Sequence, residues 1–257
     1  MLALFQHKLI YHPRPYDSHE YTHLVGSEFQ AIPFRTSQGE QVAFYRSPLP
    51  EGTPPEFLWV FFSGNASLAL NWTWLLQQAE APGVGFLLID YPGYGRCEGT
   101  ASPETILESA EQALLETRKL LGVSGEADTP PLGVFGHSLG AAAGLQFAVR
   151  HPVQKVVLIS PFTSMEDMAA QVVGRWATPF LRHNFDNRER MRELLQHDPT
   201  PAIVIFHGAE DETVPVSMGR ELAALGSDKV HYTELPHSTH NSIIEEIRPS
   251  LLALLRL

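Results

Sequence analysis

The sequence predicts an α/β fold in which a mostly parallel sheet carries helices on both faces. Two observations lead there. Five short runs, FLWVFF (57–62), FLLID (86–90), LGVFG (132–136), KVVLIS (155–160) and AIVIFHG (202–208), are continuously apolar without alternation, as strands buried on both faces are. Stretches with helical patterning separate them, so strand and helix alternate along most of the chain.

The elements follow in order. Residues 1–26 are polar, aromatic and punctuated by proline, which implies an arm wrapped on the surface. EFQAIPFRT and QVAFYRS flank SQGEQ and suit an antiparallel hairpin turning at Gly39. Helices are expected over LALNWTWLLQQAE, SPETILESAEQALLETRKLLG, LGAAAGLQFAVRH and VSMGRELAALG. In the second of these, Ser102 and Pro103 form a cap and first turn, and Gly122 a stop. VHYTEL (230–235) is the last strand. Residues 162–199 are too long for an ordinary connection and imply a cap of one or two helices. Its Met165, Met168, Val172, Val173 and Trp176 suit a pocket lining, although packing into the core fits their spacing equally well.

Composition narrows the function. The 257 residues, 44% hydrophobic, suffice for one large domain spanning 1–257, and no break favours two. A net charge of -11 without a Lys/Arg run argues against a nucleic-acid or polybasic membrane surface. Cys97 is the single cysteine, so no intrachain disulfide forms. The apolar start MLALFQHKLI is too short to span a bilayer. His7, His12, His19 and His23 are too irregularly spaced, with no paired carboxylates or cysteines, to suggest a metal site. GYGRCE does not open a helix, so a dinucleotide loop is not expected. Trp59, Trp72 and Trp74 are candidates for a pocket, with core packing the safer reading.

The motif that carries chemistry is Gly136-His137-Ser138-Leu139-Gly140, a G-x-S-x-G set between a buried strand and a small-residue helix. A serine on so sharp a turn exposes its hydroxyl at the end of the sheet, and flanking glycines leave room for backbone that side chains would block. A serine nucleophile needs a histidine base, and the base a carboxylate that fixes its tautomer. Glu210, Asp211 and Glu212 are all chemically capable. ELPHSTHNSII (234–244) holds two histidines, His237 and His240, whose spacing alone leaves a metal pair, a proton shuttle or chance crowding open.

With SGNAS, DYPGYGRCEGT, GHSLG, SPFTS and HGAEDETVP in place, the chain resembles the α/β-hydrolases, and most closely their compact esterase and depalmitoylase branch, from about residue 9 to the C-terminus. It departs at Ser63, where that family usually has histidine, and at Cys97, where serine is usual. The resemblance implies an eight-stranded, mostly parallel sheet with the short cap inserted after the sixth strand. It implies Ser138 as nucleophile, Asp211 as acid through the D-x-x-V-P match, and His240, followed by Asn241, as base, with His237 a loop residue. The oxyanion donors it implies are the amides of Leu139 and Asn65. His137, Trp72, Met165 and Trp176 complete the set as expected substrate contacts.

The expected activity is cleavage of a carboxylic ester or thioester of a small or acyl-chain substrate through an acyl-enzyme, with neither cofactor nor metal. An amidase or aminopeptidase would keep the same triad, and a binding protein that has lost catalysis would keep the fold. The expected state is a cytoplasmic monomer without stable membrane insertion, or a tethered protein if the native N-terminus is longer.

Overall fold

The structure is a computed structural model that describes residues 2–50, 52–123, 125, 128–174, 176, 178 and 181–256, with backbone only for residues 2–5, 20 and 173. Both chain ends, residues 1 and 257, and the Val173 side chain therefore lie outside the described residues. The elements are α1 (Leu2–Ile10), α2 (Ser18–Leu24), β1 (Gln30–Thr36), β2 (Gly39–Arg46), β3 (Phe57–Phe62), α3 (Thr73–Gln78), β4 (Val84–Ile89), α4 (Pro103–Leu120) and β5 (Leu132–His137). They continue as α5 (Leu139–Ala148), β6 (Val153–Ile159), α6 (Met165–Val173), α7 (Asn187–Leu195), β7 (Ala202–Gly208), α8 (Val216–Ala224), β8 (Val230–Leu235), α9 (Ser242–Glu246) and α10 (Arg248–Leu254).

One eight-stranded sheet runs in the order β1-β2-β4-β3-β5-β6-β7-β8. The β1–β2 and β2–β4 pairs are antiparallel, and the other five pairs are parallel. The hairpin turns at Gly39, whose φ of 106° is open to glycine. β4 lies on one side of β3 and β5 on the other. The chain therefore leaves β3 and β5 in opposite directions, and a crevice opens between the loops after them. In-register partners Phe62, Gly136, Leu158 and Ile205 bring the ends of four central strands to one edge. That edge carries every residue discussed below as a candidate site.

The apolar runs are explained by burial on both faces. In β3, Leu58, Val60 and Phe62 pack with α4 and α5 residues such as Ile106, Leu114, Leu145 and Phe147, whereas Trp59 and Phe61 face the layer of α3 and α10, with Leu76 and Leu251. There Phe61 and Phe135 stack with ring centroids 4.3 Å apart, and Trp72 meets Phe135 edge-on at 4.8 Å. α4 starts as its sequence implies, with the Thr105 amide donating to Ser102 Oγ at 3.1 Å, and Gly122 takes φ 69° just past its end.

Two elements differ from expectation. The N-terminal arm is not irregular: it holds α1 and α2, separated by the prolines at 13 and 15, which cannot continue a helix. The helix expected after β3 is split into a 3-10 turn, Ala69–Trp72, and α3. Asp90 Oδ1 accepts from the Ala69 amide at 2.8 Å and Asn71 Oδ1 from the Leu68 amide at 2.7 Å, which fixes the tight first turn. The cap segment holds α6 and α7, tied together where Arg188 donates to Asp167, and Arg188 also ties α7 to α8 through Glu221.

Candidate active site

Ser138 caps α5 with φ 55° and ψ -117°, a left-handed backbone that costs roughly 1–3 kcal/mol for a residue with a Cβ. The surroundings hold it there. Its amide donates to Ile159 O at 2.9 Å and its carbonyl accepts from the Ala141 amide at 2.9 Å. Glycine is required on both sides: a Cβ at Gly140 would lie 2.0 Å from Phe62 O, and one at Gly136 2.3 Å from Gly140 O. The turn is thus pressed between its own helix and the end of β3.

Across the crevice, the loop after β7 presents Asp211. Its Oδ1 accepts from the Thr213 and Val214 amides at 2.9 and 2.7 Å, and its Oδ2 accepts from His240 Nδ1 at 2.7 Å. Burial by itself would raise its pKa, but hydrogen bonds from His207, His240 and the Val214 amide outweigh this and hold it far below the usual carboxylate range. With Nδ1 donating to a fixed carboxylate, His240 keeps Nε2 as an acceptor. The other two carboxylates of the loop are engaged elsewhere: Glu212 accepts from the His240 amide at 3.2 Å, and Glu210 pairs with the exposed His237 at 3.2 Å. Among the described residues no three His, Cys, Asp or Glu side chains converge as a metal-ligand group.

His240 is packed against the serine turn through His137. The two imidazoles lie 4.9 Å apart between centroids, and His137 Nε2 donates to His240 O at 3.3 Å. Burial first, and the neighbouring His240 second, lower the His137 pKa to about 3, so it stays neutral. His137, expected as a substrate contact, does not border the pocket but packs on His240 instead. A third histidine, His207, was not singled out by sequence. It is fully buried, donates from Nε2 to Val214 O at 2.9 Å and lies 3.4 Å from Asp211 Oδ2. Only its place beside the D-x-x-V-P turn, in IFHG, hinted at such a role.

A pocket of about 290 Å³ opens onto Ser138. Asn65 and Leu139 border it, and neither amide has a hydrogen-bond partner among the described residues. The Asn65 side chain is committed to the arm: Nδ2 donates to Ile10 O at 2.6 Å, while Oδ1 accepts from the His12 amide at 2.9 Å and the Tyr94 hydroxyl at 2.7 Å. α6 supplies Met165, Met168, Ala169 and Val172, and α1 supplies Leu9 and Ile10 as the opposite wall. That wall was missed by sequence because nothing local in MLALFQHKLI says which surface it covers.

Two further expected contacts are corrected. Trp72 is 4% exposed and sits in the aromatic layer against Phe61 and Phe135, behind the site, because its ring fills the space under β3 and β5. Trp176 is 67% exposed and does not border the pocket, its ring lying beside Gly174 at the surface. Cys97 is buried, and desolvation pushes its thiol up to about 12, so it is no second nucleophile.

Comparison with known proteins accords with the fold. A profile of the alpha/beta hydrolase family matches residues 59–200, more than half of the chain. An uncharacterized protein of Mycobacterium tuberculosis is 31% identical over 160 residues, which are 62% of this chain and 54% of that protein. This chain therefore spans about half the length of the first curated relatives it matches. The alpha/beta hydrolase domain-containing protein WAV2 of Arabidopsis thaliana is 28% identical over 93% of this chain and 82% of its own. Among solved structures, an alpha-beta hydrolase from Vibrio vulnificus superposes with a TM-score of 0.72 at 15% identity, covering 97% and 92% of the two chains. An esterase from Pyrococcus furiosus does so at 0.67 and 13%, covering 96% of each. At such identities these two speak for the fold alone.

Proposed function

Since the chain belongs to the alpha/beta hydrolase family, we propose that it is a serine hydrolase that cleaves carboxylic ester or thioester bonds of a small or acyl-chain substrate. The observation that carries the reading is the 2.7 Å His240–Asp211 hydrogen bond, with His240 packed on His137 of the serine turn whose strained Ser138 borders an apolar pocket. In this reading His240 Nε2 takes the Ser138 proton as Oγ bonds to the substrate carbonyl carbon, and the carbonyl electron pair moves onto oxygen. The Asn65 and Leu139 amides receive that negative charge. The intermediate collapses, the bond to the leaving oxygen or sulfur breaks, and the leaving group takes the proton from His240. Water then repeats the sequence on the acyl-enzyme and releases the acid.

The apolar walls from α1 and α6 favour an acyl chain. His137 keeps His240 in place, and Asp211 stabilises the imidazolium. Turnover of p-nitrophenyl esters of increasing acyl length tests the reading. Expected is hydrolysis with an optimum at short to medium chains, lost in Ser138→Ala; absence of hydrolysis at every length would refute it.

A further inference from the structure

A second hollow, of about 550 Å³, lies on the far side of the oxyanion loop. Its walls are the last turn of α1, the arm that follows it, and the loop after β4 at residues 92–94 and 99–101. Four of its lining side chains are basic or can become so: His7, Lys8, His12 and Arg14. None is a carboxylate, although Asp and Glu outnumber Lys and Arg by 29 to 18 in the chain. Glu104 is the carboxylate that acts on Tyr11 from behind the wall, and it accepts from Ser102 Oγ at 2.8 Å. Tyr11 also borders the hollow, and its buried hydroxyl has no hydrogen-bond partner among the described residues. Cations on a lining that carries no carboxylate, beside a spare donor, match an anion with several acceptor oxygens.

The position of this hollow bears on the reaction. His12 lines both hollows, and Asn65 of the first is followed directly by Ala66 of the second. Arg14 reaches Ala66 O at 3.5 Å, so its guanidinium lies at the oxyanion loop itself. An ester held at Ser138 with its acyl chain under α6 has its other end toward His12.

We propose that the second hollow binds the phosphate of the leaving group, so that the substrate is an acyl ester of a phosphate-bearing alcohol. The proposal rests on the serine-hydrolase reading for its link to catalysis, but not for the binding itself. A single carboxylate would be satisfied by one arginine fork, whereas a dianionic phosphate uses two cations and the roomier site.

Glycerol 3-phosphate, titrated into the full-length Ser138→Ala protein and followed by calorimetry, tests the binding apart from turnover. Saturable binding is expected, weakened about tenfold or more in Lys8→Gln and in Arg14→Gln and unchanged in Arg35→Gln, whose guanidinium pairs with Glu40 on the hairpin. Two variants are used because Arg14 also touches Ala66 O, whereas Lys8 is exposed at the end of α1. Inorganic phosphate in a parallel titration separates a site for the phosphate ester, which binds the ester more tightly, from one for free phosphate, which would overturn the leaving-group assignment. Absence of binding, or binding indifferent to both substitutions, overturns the site. In Ser138-intact protein, kcat/KM for an acylglycerol phosphate over the matched acylglycerol should exceed one and fall in both variants. Phosphate binding without hydrolysis of either ester would leave the site standing and remove the hydrolase reading, whereas hydrolysis without binding would do the reverse.

Discussion

At Asp211 one carboxylate accepts from two backbone amides and from His240, with His207 at 3.4 Å. Asp211→Asn keeps the shape and changes the partner of His240 Nδ1, so kcat should fall by about 10³–10⁴ while the protein stays folded, measured on an activated ester. His240→Gln should abolish turnover and His237→Gln should leave most of it, because His237 is exposed and pairs with Glu210 at the surface. The two buried aspartates should affect stability in opposite directions. Asp211 titrates below its unfolded value, so its contribution is present above the ordinary carboxylate pKa and is lost as pH falls below it. Asp90 is the reverse: burial pushes its pKa up to about 6, despite hydrogen bonds from Tyr16 and Ala69, so the native state holds a proton that the unfolded chain has released. Its effect is a loss of stability, on the order of 3 kcal/mol, as pH rises from about 4 to 6. Urea unfolding across pH 2 to 7 checks both: Asp211→Asn should flatten the acid limb, and Asp90→Asn the decline between about 4 and 6.

Among the elements, α4, α6 and the serine turn give separate handles. Ser102→Ala removes the cap of α4 and should cost about 1 kcal/mol by urea unfolding, with kcat/KM unchanged. Gly140→Ala forces a methyl against Phe62 O and should prevent folding or displace Ser138, read as loss of soluble protein or of activity. Ala169→Phe narrows the pocket from the α6 side and should move the preferred acyl length to shorter chains across a p-nitrophenyl ester series. The strands were legible because continuous apolar runs have few alternatives to burial on both faces, and α4 because its cap and stop are local signals. α1 was not legible: its nine apolar and polar residues carry no record of the pocket they will cover. Trp72 and Trp176 were misplaced for a related reason, since a tryptophan's neighbours are set by tertiary packing and not by its own segment.

For the molecule as a whole, the sheet order puts the loops after β3, β5, β7 and β8 at one edge, and four separate motifs of the sequence meet there. The family resemblance, carried by motifs spread along the chain, pointed to Ser138, Asp211 and His240 as the proposed triad, but not to the scaffold around them. The His137–His240 contact and the arm's grip on Asn65 depend on contacts across more than fifty residues, which no local pattern records, whereas His207 meets Asp211 and Val214 only four and seven residues on. The same arm joins the apolar pocket to the basic hollow, so one segment bears on both ends of the proposed substrate. Among the described residues no helix is long and apolar enough to cross a membrane. The central claim is that Ser138 is an activated nucleophile. Covalent labelling with a fluorophosphonate, read by intact mass and peptide mapping, tests it most directly. One adduct on Ser138, strongly slowed in His240→Gln and absent in Ser138→Ala, is the predicted result; an unlabelled wild-type protein, or an adduct on another residue, would contradict it.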